Sequence, residues 1–545
     1  MEHTPAARVG EEEYDSIRKA VEAAKEAAKS GEEDTTVYLL RDVTESVKLT
    51  DNAQEKTQIV IDLNGYTLSP EGGYIFNLLG VDLKLTNSTP DKGGMIASED
   101  AKGSRAVYVN NTTKLSTSPA NYVKLTLKDL TIRGFQGALE GGAVYVNGSA
   151  DIKISNCIIA DCSAAGNGGA LFLRPNNAGW TDSPYSLMIK GGKITGNTAG
   201  ASGGGIYVGG GYSENTVVID GTQFENNKST TYGGGFAFNG NNNTNEATDI
   251  TIQDTEFKGN NAGSNGAGAN IGWAKKAFLS GVEFTENRAV SNGGGLRLYN
   301  NKDYGQDASI TDCTFTENMA VKGSGGGLYL YEGCLLQVEI ADCMMSENTA
   351  LAGSGGGIYS YNTKLTMSKC RVIGNRSLNA GGIYVHSNKE AVRSVISDSE
   401  IRGNQVPASA DTCGGGLYVY YYVNVINTTI MQNKAYNGGG VFLNQYKGIL
   451  KNVNIKENQA YGNGGAVYMS GSWGGSNNPS ASNYYTASLQ GCKIVQNKCP
   501  ASAVYIGTGT NNVEISGSGE ENSEDGWIPT EISGNTGRGI QIEGR

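Results

Sequence analysis

No stretch of this 545-residue chain is apolar for long enough to cross a bilayer as a helix, so no membrane insertion is expected. A basic surplus is also missing: 43 Lys and Arg stand against 54 Asp and Glu, a formal net charge of −11. Nucleic acids and anionic membrane surfaces attract the opposite sign, so neither is expected as a partner. Histidine is nearly absent, with His3 and His386 alone, and proline is low at 10 residues. Any catalysis would therefore have to rest on carboxylates. The repeats carry no apolar periodicity of 3.6, which excludes helical solenoids. The nine cysteines are odd in number and show neither metal-ligand spacing nor a small disulfide framework.

What the chain does have is glycine, 79 residues, tyrosine, 29 residues, and one sentence repeated many times. Residues 312–330 read Asp-Cys-Thr-Phe-Thr-Glu-Asn-Met-Ala-Val-Lys-Gly-Ser-Gly-Gly-Gly-Leu-Tyr-Leu, and residues 342–360 repeat the frame. Reduced, it is a large apolar residue, two spacers, Asn, a polar turn, Gly-Gly-Gly, then apolar-Tyr-apolar. The Asn anchors are Asn197, Asn227, Asn260, Asn287, Asn318, Asn348, Asn375, Asn404, Asn433, Asn458 and Asn497, about every 30 residues. Fixed periods in that range mean stacked repeats.

Gly205-Ile206-Tyr207-Val208 and Gly327-Leu328-Tyr329-Leu330 alternate in and out, as strands do. Units running head to tail in one sense stack as parallel strands, each coil about 4.8 Å above the last. Asn at the same point of every coil can then form an amide ladder, the condition under which a buried amide is tolerated. The glycines supply positive φ and close approach of neighbouring coils. Phe224, Phe257, Phe284, Phe315 and Met345 hold one inward position. A small inward slot two residues earlier takes Cys157, Cys313, Cys343, Cys370 and Cys492, where core packing is the expected role.

The expected fold is all-β: a right-handed parallel β-helix with an N-terminal amphipathic capping helix. Residues 1–35 form a leader and cap, with 1–10 disordered and a helix over 11–30. Tyr14, Ile17, Val21 and Ala24 share its apolar face and Gly31 sits at the C-terminal cap position. Its job is to cover the open end of the solenoid. Irregular coils follow over 36–124, regular repeats over 125–507, and a last coil over 508–545. Residues 542–545, Ile-Glu-Gly-Arg, match a protease site used to remove tags, and the natural chain is expected to continue beyond them.

The frame resembles the chlamydial polymorphic outer membrane protein repeats, defined by Gly-Gly-Ala-(Ile/Leu/Val) together with Phe-x-x-Asn. Gly141-Gly142-Ala143-Val144, Gly168-Gly169-Ala170-Leu171, Gly464-Gly465-Ala466-Val467 and Phe315-Thr316-Glu317-Asn318 carry the resemblance. It spans roughly residues 127–497. It implies a right-handed parallel β-helix and a bacterial adhesin or passenger role, extracellular, at the cell surface or secreted. No translocator barrel or signal segment is seen in the sequence.

Three features could carry function. The first is a stripe of outward aromatics: Tyr145, Phe172, Tyr207, Tyr329, Tyr359, Tyr384, Tyr418, Phe442, Tyr468 and Tyr505, with Arg297 in line and Ala237 and Asn270 breaking it. Flat amphipathic rings suit glycans and protein surfaces, and they equally suit a self-supporting ladder. The second is the loop edge following that strand. It bears the candidate ligand-binding residues Trp180, Tyr185, Tyr212, Trp273, Tyr304, Trp473, Tyr484 and Tyr485. The third is acidic: Glu286, Glu317 and Glu347 precede the anchor on three successive coils, and Asp312 and Asp342 repeat likewise. Such carboxylates either splay into solvent or share a bridging Ca²⁺. These features point to an adhesin binding host or environmental glycan, or a host surface protein, without catalysis. A β-helix polysaccharide lyase or glycoside hydrolase using Asp312 or Asp342, and a passive stalk of a larger surface protein, are the alternatives.

Overall fold

The computed structural model describes residues 4–50, 58–97, 102–110, 122–175, 184–211, 213–240, 248–300, 306–331, 336–470, 486–507, 512–518 and 528–543. The chain forms two units, Met1–Ala277 and Phe278–Arg545. Each is built of parallel coils, and each coil contributes one strand to each of three stacks.

In the first unit, one stack takes the longer strands, from Gln58–Asp62 and Asp82–Thr86 through Val123–Lys128, Ala150–Ser155, Tyr185–Lys190 and Asn215–Asp220 to Thr248–Gln253. A second takes three-residue strands such as Ile158–Ala160, Lys193–Thr195 and Gln223–Glu225. A third takes the strands after the glycines, such as Val144–Asn147, Leu171–Arg174 and Ile206–Gly209. Pairing is parallel and in register: Val144, Leu171, Ile206 and Phe236 are consecutive partners. The second unit repeats the plan, with Leu328, Ile358, Ile383, Leu417 and Val441 in one row. The expected alternation is present at Ile206, Tyr207 and Val208, buried, half-buried and buried; along Leu328–Leu330 the middle residue Tyr329 is buried as well.

The asparagines stand in columns. In the second unit Asn318 Nδ2 donates to Asn348 Oδ1 at 2.9 Å and to Phe284 O at 2.8 Å, and its backbone N–H also reaches Asn348 Oδ1 at 3.0 Å. An amide such as Asn348, with an Asn on both sides, is a donor twice and an acceptor twice, which is why fully buried Asn is tolerated here. The first unit holds Asn197, Asn227 and Asn260 in the same arrangement. Below them the position is Cys162, whose backbone N–H donates to Asn197 Oδ1 at 2.9 Å. Phenylalanines stack beside the column, Phe224 on Phe257 at 4.7 Å and Phe284 on Phe315 at 4.8 Å. Each pair contributes about 1 kcal/mol beyond its area burial.

Single left-handed residues make the corners. One falls before the small slot, as at Asp312 (φ 51°) and Asp342 (φ 55°); another falls before the anchor, as at Glu317 (φ 56°) and Gln432 (φ 57°). Gly374 and Gly403 fill the second corner in other coils, the residue best suited to it.

The N-terminus departs from expectation. Residues 4–10 are not a disordered leader: Ala7–Val9 is a strand, antiparallel to both Glu12–Tyr14 and Val37–Leu39. The helix is shorter, Ile17–Ser30, with Ser16 as N-cap, and Tyr14 belongs to the hairpin. Ile17, Ala20, Val21 and Ala24 are its buried face, and Gly31 is the left-handed cap at φ 79°. The Glu45 carboxylate accepts from the Ile17 and Arg18 N–H groups at 2.8 and 3.1 Å, satisfying donors that a helix start leaves unpaired.

Candidate functional site: a two-column aromatic face

The residue after the first apolar position of each third-stack strand lies on the face away from the core, and parallel register sets such residues one above another, which buries Phe172, Tyr329, Phe442 and Tyr505 among their neighbours. In the first unit this stacks Tyr108, Tyr145, Phe172 and Tyr207, with ring centroids 5.0, 5.3 and 5.5 Å apart. Ala237 and Asn270, which break the stripe, are each 1% exposed. In the second unit Tyr329, Tyr359, Tyr384, Tyr418, Phe442, Tyr468 and Tyr505 stack without interruption at 4.7–5.1 Å.

A second column runs beside this one and is missing from the sequence reading. Tyr331, Tyr361, His386 and Tyr420 lie two residues further along the same strands. Their successive centroid separations are 5.6, 4.4 and 4.8 Å. The signal was the pair spacing itself, Tyr329 with Tyr331 and Tyr359 with Tyr361, because a period of two returns to the same face. Tyr329 is buried, and the other rings across these four coils are half-buried.

Stacking has a chemical consequence. The ring faces are occupied by their neighbours, so the columns present edges and hydroxyl groups. Burial pushes the Tyr359 and Tyr384 phenols up, and that of Tyr418 to about 12. They stay neutral hydrogen-bonding groups at physiological pH. His386 is pushed down to about 4 by burial and meets Asn362 Oδ1 at 3.0 Å through Nδ1, so it is a neutral ring within the column.

The expected loop-edge residues fare differently. Trp180, Tyr212, Tyr304, Trp473, Tyr484 and Tyr485 lie outside the described residues. Tyr185 is corrected: it is 2% exposed, and its hydroxyl donates to Gly209 O at 2.9 Å. It opens a long-stack strand and fills the interior, so it offers no surface to a ligand. Trp273 is half-buried at a left-handed position (φ 55°) directly after the third-stack strand Ala269–Gly272.

The acidic positions are corners. Glu286, Glu317 and Glu347 are exposed with φ of 56–57°, and Asp312 and Asp342 are exposed likewise. Among the described residues no group of three or more His, Cys, Asp or Glu side chains is placed to hold a metal ion. The eight described cysteines are all buried and free. Cys157 and Cys162 are pushed up to about 12 by burial, as packing residues rather than nucleophiles.

A family model described as a right-handed beta helix region matches residues 303–483, within the second unit. Right-handed parallel β-helix is therefore the fold. No curated protein and no solved structure matches the chain.

Proposed function

We propose that this chain is the β-helix of a bacterial cell-surface or secreted protein, of the polymorphic outer membrane protein type. In this reading it is an adhesin that binds a host or environmental glycan, or a host surface protein, and catalyses nothing. The supporting observation is the two-column face of Tyr329, Tyr331, Tyr359, Tyr361, Tyr384, His386, Tyr418 and Tyr420, largely half-exposed on one sheet. A soluble scaffold needs one such column for stacking; a second is more than the coil requires. The rings are fixed by their neighbours, so little side-chain entropy is lost on binding. Their hydroxyls recur about every 4.8 Å, so a polymer with repeated polar groups makes many weak contacts at once.

A panel of glycans and host-surface proteins, probed with wild type and two triple variants, tests the reading. Tyr331/Tyr361/Tyr420→Phe removes hydroxyls while keeping the stack. Trp180/Trp273/Trp473→Ala removes the loop rings. Each is expected to weaken binding at least tenfold. Wild-type binding to nothing on the panel, or no loss in either variant, leaves a passive stalk instead. Release of reducing ends or unsaturated uronates from polysaccharides would replace adhesion with catalysis.

A further inference from the structure

A pocket of about 460 Å³ lies in the first unit, between the aromatic column and the turn that precedes the glycines. Tyr108, Tyr145, Leu139, Glu140, Gly166 and Arg105 line it. Its volume falls in the range of small-molecule sites.

The arginine is held in place. Arg105 Nε donates to the carbonyls of Glu140 at 3.1 Å and Gly141 at 3.0 Å, and Nη2 donates to Glu140 O at 2.9 Å. Its Cζ is 5.6 and 5.3 Å from the Tyr108 and Tyr145 centroids, within cation–π reach of both rings. Among the described residues, Nη1 has no hydrogen-bond partner and no carboxylate lies within ion-pair distance of the guanidinium. Glu140 does not neutralise it at contact; its Oε1 accepts from Asn167 Nδ2 at 3.0 Å. Burial also pulls the Arg105 pKa down, the mark of a cation short of solvent. Glu140 supports the cation only through space; a half-buried charge with no carboxylate at contact is still costly, and an anion in the pocket offsets that cost.

Leu139 is the second observation. It is 72% exposed, and the core does not use it. Gly166 permits the turn to sit where it does, since a Cβ there would meet Leu139 O at 2.9 Å. The pocket thus joins one fixed cation to an apolar lip and two phenols. With Glu140 nearby, a monoanion is accommodated better than a dianion.

We propose that this pocket binds a carboxylate-bearing sugar, with Arg105 Nη1 taking the carboxylate and Leu139 covering the apolar face of the ring. The inference rests on the glycan-binding reading and names the chemical class for one subsite. Direct titration of the full chain with a glucuronate-terminated trisaccharide, its methyl ester and the neutral glucose analogue tests it. The acid is expected to bind at least tenfold more tightly than the ester or the neutral sugar. Arg105→Met should abolish that preference. Because Arg105 also ties down the turn, Leu139→Glu at the exposed lip serves as the second variant. It should cost tenfold for the acid while leaving thermal unfolding unchanged. Equal affinity for acid and ester, or full binding by Leu139→Glu, overturns the proposal. If some other glycan binds and responds to Tyr331/Tyr361/Tyr420→Phe while the acid does not bind, this subsite fails alone. If nothing binds, both readings fail.

Discussion

One left-handed residue makes each corner of the coil, and its conformation rather than its side chain decides what it is for. Glu317 sits at φ 56° and is exposed, whereas Gly374 and Gly403 serve the same corner in later coils. Left-handed backbone costs a residue with a Cβ about 1 kcal/mol that glycine avoids. Glu317→Gly is accordingly expected to raise stability by about 1 kcal/mol in chemical denaturation. Had the glutamates been retained for a cation, the same change would abolish a Ca²⁺-dependent rise in melting temperature. His386 makes the other residue-scale prediction. Its folded pKa of about 4 lies below the ordinary 6.5, so the unfolded chain binds the extra proton between those values. Stability is full above about pH 6.5 and falls as pH drops toward 4, by on the order of 2 kcal/mol. His386→Phe should flatten that dependence in melts run from pH 7 to 4. The asparagine anchors were readable from spacing alone, because a buried amide needs an identical partner one coil away. The corner acids were visible as letters but not as corners: φ is not written in a repeat when Glu, Gln, Asn and Gly all occupy the position.

At the scale of elements, the cap and the aromatic face show what local pattern can and cannot specify. The helix was legible from its apolar spacing and from Gly31, and its start was misplaced. Tyr14 fits the helical spacing yet lies in the strand Glu12–Tyr14, since Ser16 accepts from the Lys19 N–H and begins the helix after it. Ser16→Ala should cost about 1 kcal/mol, read as a loss of melting temperature. The Glu45 carboxylate that completes the cap comes from a different element, 28 residues from Ile17, and no local signal announces it. The first aromatic column was legible because Tyr or Phe follows most of the glycine runs, with Ala237, Asn270 and Arg297 the exceptions. The second was overlooked because His386 interrupts its tyrosines, although imidazole stacks on Tyr361 at 4.4 Å as a phenol would. The pocket at Arg105 joins a residue of the irregular coils to the turn before Gly141, a turn the frame repeats, so its chemistry comes from the single letters Arg105, Leu139 and Glu140 and not from the period.

For the whole molecule, the period of about 30 residues carried more information than composition or length. It specified parallel stacking within each unit, the inward phenylalanines and the outward tyrosines, because one register determines all three. It left the ligand open, since a solenoid presents many similar surfaces and chemistry enters through exceptions to the repeat. The central claim is that residues one period apart are direct neighbours. A double-mutant cycle on Asn318 and Asn348 measures this most directly, with Asn318 and Asn404 as the distant control. Each alanine alone strands a buried partner, so the account predicts that Asn318→Ala and Asn348→Ala are coupled by about 1–3 kcal/mol, while the control pair adds within about 0.5 kcal/mol. Simple additivity for Asn318 and Asn348 would contradict it.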